Sequence, residues 1–102
     1  MSKIAELIGF LKDDPNDNFI RYALALEYTK IEEFEKAKNI FDKLIQEEPN
    51  YLPTYYQYGN LLAEIGQPDL AEEIYKKGIE IADSQLKIKT KQELEQALFL
   101  LD

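Results

Sequence analysis

The chain resembles itself at a spacing of 34 residues, and that period restricts its architecture more than any other feature of the sequence. Pro15-Asn16 returns as Pro49-Asn50, and the same offset pairs Tyr22 with Tyr56, Ile31 with Ile65, Ala37 with Ala71, Ile40 with Ile74, Lys43 with Lys77 and Ile45 with Ile79. Between these identities small residues meet small ones (Ala25 and Gly59) and rings meet rings (Phe41 and Tyr75). A pattern that preserves side-chain size in this way is a packing scheme used twice.

Each period reads as two helices. Ile20, Ala23, Leu24, Tyr28 and Ile31 recur at steps of three and four, and Ala37, Ile40, Phe41, Leu44 and Ile45 follow in the same rhythm. Glu32-Glu33 form a short polar turn between them. In the second period Gly66 suits the left-handed residue that ends a helix, and Pro68 suits the first turn of the next. Helices are predicted there over roughly 51–65 and 68–82. Pro15 and Pro49 punctuate the periods, because proline lacks a backbone donor and disfavours helix in the residue before it. Asp13-Asp14-Pro15-Asn16-Asp17 reads as one helix end followed by the cap of the next. Apolar stripes flank both periods: Ile4, Leu7, Ile8 and Leu11 before them, Leu94, Ala97, Leu98 and Leu101 after. The expectation is an all-α chain of about six helices, and four glycines and four prolines are too few for the frequent turns of a β-sandwich or barrel.

This residue order resembles the tetratricopeptide repeat. Matching positions are Leu24, Ala25, Tyr28, Ala37, Phe41, Leu44 and Pro49 in residues 18–51, and Tyr58, Gly59, Leu62, Ala71, Tyr75, Gly78 and Asp83 in residues 52–85. Small residues at 25, 37, 59, 71 and 78 let paired helices approach, and large ones fill the space beside them. Three positions depart from the pattern. Arg21 stands where a large aromatic is usual (Tyr55 obeys it), Leu44 replaces a small residue and Asp83 replaces the closing proline. The resemblance implies a right-handed α-α superhelix of antiparallel helix pairs forming a single domain over 1–102. In it, 1–15 is the helix of a half-repeat, 18–51 and 52–85 are repeats, and 86–102 is a capping helix. Met1 and that capping helix suggest a complete small protein.

Charge and composition limit what such a chain does. Twenty acidic against twelve basic residues give a net charge of −8, unfavourable for nucleic acid or an anionic membrane. With no cysteine and no histidine, the commonest nucleophile–base pairs and the usual zinc ligands are missing. Pairs such as Glu32-Glu33 and Glu72-Glu73 occupy ordinary charged helix positions, and no phosphate loop, HExxH or calcium loop is present. The N-terminus lacks signal-peptide character, and no apolar run approaches the roughly 18 residues of a bilayer span. The sequence therefore reads as a cytoplasmic, non-enzymatic scaffold or adaptor with no cofactor and no metal, partnered by a protein or peptide.

In the family the first helix of each repeat lines a concave groove. The resemblance implies a lining of Phe19, Tyr22, Leu26, Thr29 and Lys30 from one repeat, and of Pro53, Tyr56, Asn60, Ala63 and Glu64 from the other. Tyr22 and Tyr56 would stand as two rungs of an aromatic ladder. The same rings also suit simple packing between helices, and both readings stand. Asn60 offers an amide with both a donor and an acceptor for a peptide backbone. The carboxylate clamp with which some members grip the acidic C-terminus of heat-shock chaperones maps onto Tyr22, Leu26, Gln57, Lys87 and Lys91. Only the two lysines keep its basic character, so a full clamp is not expected. Finally, Ala97-Leu98-Phe99-Leu100-Leu101 is apolar on more than one face, which a helix that merely caps should not be. Leu98, Phe99 and Leu100 are thus candidates for a homodimer contact, with fraying or docking of the tail into the groove as alternatives.

Overall fold

Helix boundaries in this protein follow local capping chemistry. The structure, a computed structural model, describes residues 2–101, and among these there are six α-helices and no strand. They are α1 (Lys3–Asp13), α2 (Asn18–Lys30), α3 (Phe34–Glu47), α4 (Pro53–Glu64), α5 (Pro68–Ser84) and α6 (Ile88–Phe99). The Ser2 hydroxyl accepts from the Ala5 amide at 3.1 Å, and the Asp17 carboxylate accepts from the Ile20 amide at 3.0 Å. Each satisfies a donor that the first helical turn leaves free. Pro53 and Pro68 open α4 and α5, where a missing N–H costs nothing. Helix α4 therefore begins two residues later than the periodicity predicts. Helix α5 runs two residues further, to Ser84, whose hydroxyl donates to the Ile81 carbonyl at 2.8 Å.

Three of the turns share one design. Glu32, Gly66 and Leu86 adopt left-handed backbone with φ of 62°, 80° and 58°. In each case the next amide reaches back to the helix: Glu33 N–H to the Tyr28 carbonyl at 2.9 Å, Gln67 to Leu62 at 2.8 Å, and Lys87 to Ala82 at 2.9 Å. This is the Schellman closure, which glycine enters without steric cost. Glu32 and Leu86 adopt it with a Cβ in place, which is unfavourable by about 1–2 kcal/mol for an L-residue.

The chain divides into two compact units, residues 1–51 and 52–102. In unit 1, α2 packs against both α1 and α3. Leu7, Leu24, Ala25, Ala37, Phe41 and Leu44 form its buried apolar core. Arg21 is buried with them and donates to Glu47 Oε1 at 2.6 Å and to Asn18 Oδ1 at 3.0 Å. In unit 2, α5 packs against both α4 and α6, and α4 also touches α6. Its core is tyrosine-rich: Tyr55, Tyr58 and Tyr75 are buried with Leu61, Leu62, Ala71, Ala82 and Leu94. Two glycines make room for the rings. A Cβ at Gly59 would clash with the edge of the Tyr75 ring, and one at Gly78 would lie 2.6 Å from Tyr55 Cβ and 3.0 Å from Leu94 Cδ1.

Candidate protein-binding surfaces

On α4, Tyr56, Asn60 and Ala63 follow one another at helical spacing and so share a face. Tyr75 of α5 joins them, as do Ala97 of α6 and Leu100 and Leu101 just after it, around an open recess of about 300 Å³. The Tyr75 hydroxyl donates to Asn60 Oδ1 at 2.5 Å. Burial, with a smaller contribution from Tyr56, raises the Tyr75 pKa above that of a free phenol, so the group stays a neutral donor. One acceptor site of Asn60 is thereby engaged inside the protein, and the amide N–H groups become its main offering. Tyr56 is 37% exposed, and the rest of the wall is largely hydrocarbon.

In unit 1 the α2 candidates are partly committed to internal contacts. Tyr22 is half-buried and meets Tyr51 edge to face, with ring centroids 6.0 Å apart at 72°. The Thr29 hydroxyl folds back onto the Ala25 carbonyl at 2.9 Å. Lys30 bonds Glu27 at 2.9 Å, which holds the Glu27 carboxyl below its usual pKa. Leu26 is half-buried, whereas Phe19 is 65% exposed.

The remaining candidates separate from the recess. Lys91 donates to Asp83 at 2.9 Å, and this bond raises the lysine pKa. Lys87 is the exposed N-cap residue of α6, whereas the recess draws on residues 97–101 beyond the middle of that helix. Gln57 is half-buried and Glu64 exposed, and neither borders the recess. Leu98 is half-buried, while Phe99 and Leu100 are 82% and 70% exposed. Sequence reasoning missed Tyr75, Ala97 and Leu101 as recess residues. Tyr75 was legible only as core, and its one signal was Gly59, whose missing side chain leaves room for a ring.

The family profile for the tetratricopeptide repeat matches residues 30–94, more than half of the chain. The chain belongs to the tetratricopeptide-repeat family. A tetratricopeptide-repeat domain protein of Salinibacter ruber, solved by NMR, superposes with a TM-score of 0.83 at 36% identity, covering 87% of this chain and 90% of that one. Its crystal structure gives 0.78 at 35% identity, covering 83% and 96%. A protein of Bordetella parapertussis gives 0.85 over 99% of this chain and 88% of its own, at 21% identity, which is a likeness of fold. Among curated proteins, the pre-mRNA-splicing factor CLF1 of Eremothecium gossypii is 29% identical over 80 residues, 78% of this chain. The chain spans 12% of that factor's length. Tetratricopeptide repeats generally act in protein–protein interaction and are generally non-catalytic. Among the described residues, no helix is long and apolar enough to cross a membrane.

Proposed function

We propose that this tetratricopeptide-repeat chain is a non-catalytic cytoplasmic adaptor that holds a peptide or protein segment against the unit 2 recess. The observation that carries the reading is the recess itself, with the exposed Tyr56 ring, hydrocarbon from Ala97, Leu100 and Leu101, and an Asn60 amide oriented by Tyr75. An aromatic ring with two torsions to freeze, beside a fixed amide, is an economical peptide contact. Phe19, Tyr22, Leu26 and Lys30 on α2, and Gln57 and Glu64 on α4, extend the contact face of each unit. Lys87 and Lys91 favour acidic residues in the ligand near the start of α6. Peptides selected from a displayed random library should lose at least tenfold in affinity for a Tyr56→Ala, Leu101→Asp variant whose far-UV circular dichroism is unchanged. Equal affinity for both proteins would reject the recess as the site.

A second reading is self-association through the end of α6, favoured by the exposure of Phe99 and Leu100 beside the half-buried Leu98. Light scattering across a concentration series should then show a dimer that Phe99→Asp, Leu100→Asp dissolves. A monomer throughout rejects it.

A further inference from the structure

Helix α6 packs its inner side on α5 and α4, with Leu94 buried, and leaves a separate stripe in solvent. Ile88, Gln92, Glu95 and Phe99 follow one another at the alternating four- and three-residue steps of a seam between two paired helices, and all are exposed. Ile88 is 67% and Phe99 82% exposed, one at each end of the stripe. A helix that merely covers the end of a stack should be polar on its outer side. Charge along α6 is also divided. Residues 84–92 carry Lys87, Lys89 and Lys91 and no acidic residue, whereas 92–101 carry Glu93 and Glu95 and no basic one. A lone helix prefers the reverse, because its first turn is electropositive and its last turn electronegative. Yet α6 has no acidic residue in its first turn, no basic one in its last, and no side-chain bond from its Lys87 cap.

From the stripe and the division of charge we infer that α6 pairs antiparallel with α6 of a second copy, across a twofold axis near its middle. This pairing rests on the self-association reading above and replaces a contact at the end of α6 with one along its length. With the axis between Glu93 and Leu94, the stripe is its own complement. Ile88 of each copy meets Phe99 of the other, and the Gln92 amide donates to Glu95 of the other. The lysine half of each helix lies along the glutamate half of the second copy, which offsets the unfavourable charge order that each helix has alone. A parallel pair would set lysines against lysines and Phe99 beside Phe99. None of the four seam residues borders the unit 2 recess, so the two surfaces are separate.

The chain has no cysteine, so disulfide trapping reads the geometry directly. Ile88→Cys and Phe99→Cys variants of the full chain are oxidised separately and as an equal mixture. The mixture should cross-link at least fivefold more than either variant alone, because only a mixed pair brings the two thiols together. Cross-linking of each variant alone that matches the mixture would overturn the antiparallel register. Light scattering up to about 1 mM should show a wild-type dimer. Lys87→Glu, Lys89→Glu should weaken that dimer at least fivefold while raising the urea midpoint of the dilute monomer, since the same change suits the start of a lone helix. An undiminished dimer in this variant would also overturn the proposal. A monomer at every concentration rejects self-association altogether, whereas a dimer without the mixed cross-link rejects the antiparallel α6 pair alone.

Discussion

The two units apply one repeat pattern with different side chains at one pair of buried positions. Unit 2 sets Tyr55 against Gly78, whereas at the matching positions unit 1 has Arg21 and Leu44. All four residues are buried. Unit 2 fills its site with a ring that needs a glycine opposite, and unit 1 uses a long cationic side chain that is anchored by hydrogen bonds to Glu47 and Asn18. The consequences differ: unit 2 gains a filled tyrosine core, and unit 1 keeps a buried cation beside an apolar hollow. The turns differ in the same spirit. Unit 2 closes α4 with Gly66, and unit 1 closes α2 with Glu32 in the same left-handed conformation.

The sharpest way to break this comparison is to mix the two solutions. Gly78→Leu forces a side chain into the Tyr55 ring and should cost about 3 kcal/mol in urea denaturation. Adding Tyr55→Arg, which recreates the unit 1 pair, should recover about 1 kcal/mol or more, and additive losses would show that the pair is not coupled. Next in size, Gly59→Ala should cost about 1–3 kcal/mol because its Cβ meets the Tyr75 ring. The reverse change at the matching position, Ala25→Gly, should cost only about 1 kcal/mol through helix propensity.

Tyr75→Phe removes the bond to Asn60 and should cost about 1 kcal/mol. It also tests an alkaline effect. Burial raises the folded-state pKa of Tyr75 and of Tyr55 above the value of about 10 for the unfolded chain. Their contribution is therefore complete below that pH and is lost as pH rises through the folded values, and Tyr75→Phe should make the decline shallower. The smallest effects lie at the turns. Gly66→Glu should cost about 1 kcal/mol, whereas Glu32→Gly and Leu86→Gly should each raise stability by roughly 0.5 kcal/mol, read as shifts in the urea midpoint.

Much of the fold was legible in the sequence for a local reason. Helix periodicity, the Asp17 cap, the proline starts and the left-handed Gly66 all depend on residues within a few positions of one another. The helix edges were less legible, because Leu52 keeps helical backbone angles before Pro53 and the final turn of α5 depends on Ser84. The left-handed Leu86 was not legible at all, since a leucine gives no local sign of that conformation. At the candidate site, Tyr56 and Asn60 follow from their place on α4, but their surroundings do not. Tyr75 lies fifteen positions beyond Asn60, and only helix pairing brings its hydroxyl to the amide. Lys91 keeps the basic character of a clamp position in the sequence, but only the fold shows that it spans eight positions to reach Asp83.

By itself the sequence determined that this protein is built from helices, about six of them, and which of them repeat. These properties follow from short-range periodicity and backbone preference. Tertiary structure alone decided that Asn60 enters the recess with an acceptor site already occupied, that the end of α6 rather than its lysines forms a wall, and that Arg21 is buried beside Glu47 while Tyr55 packs against Gly78. Those outcomes depend on which side chains meet across helix pairs, and that is set by facing volumes and hydrogen-bond partners distant in the chain.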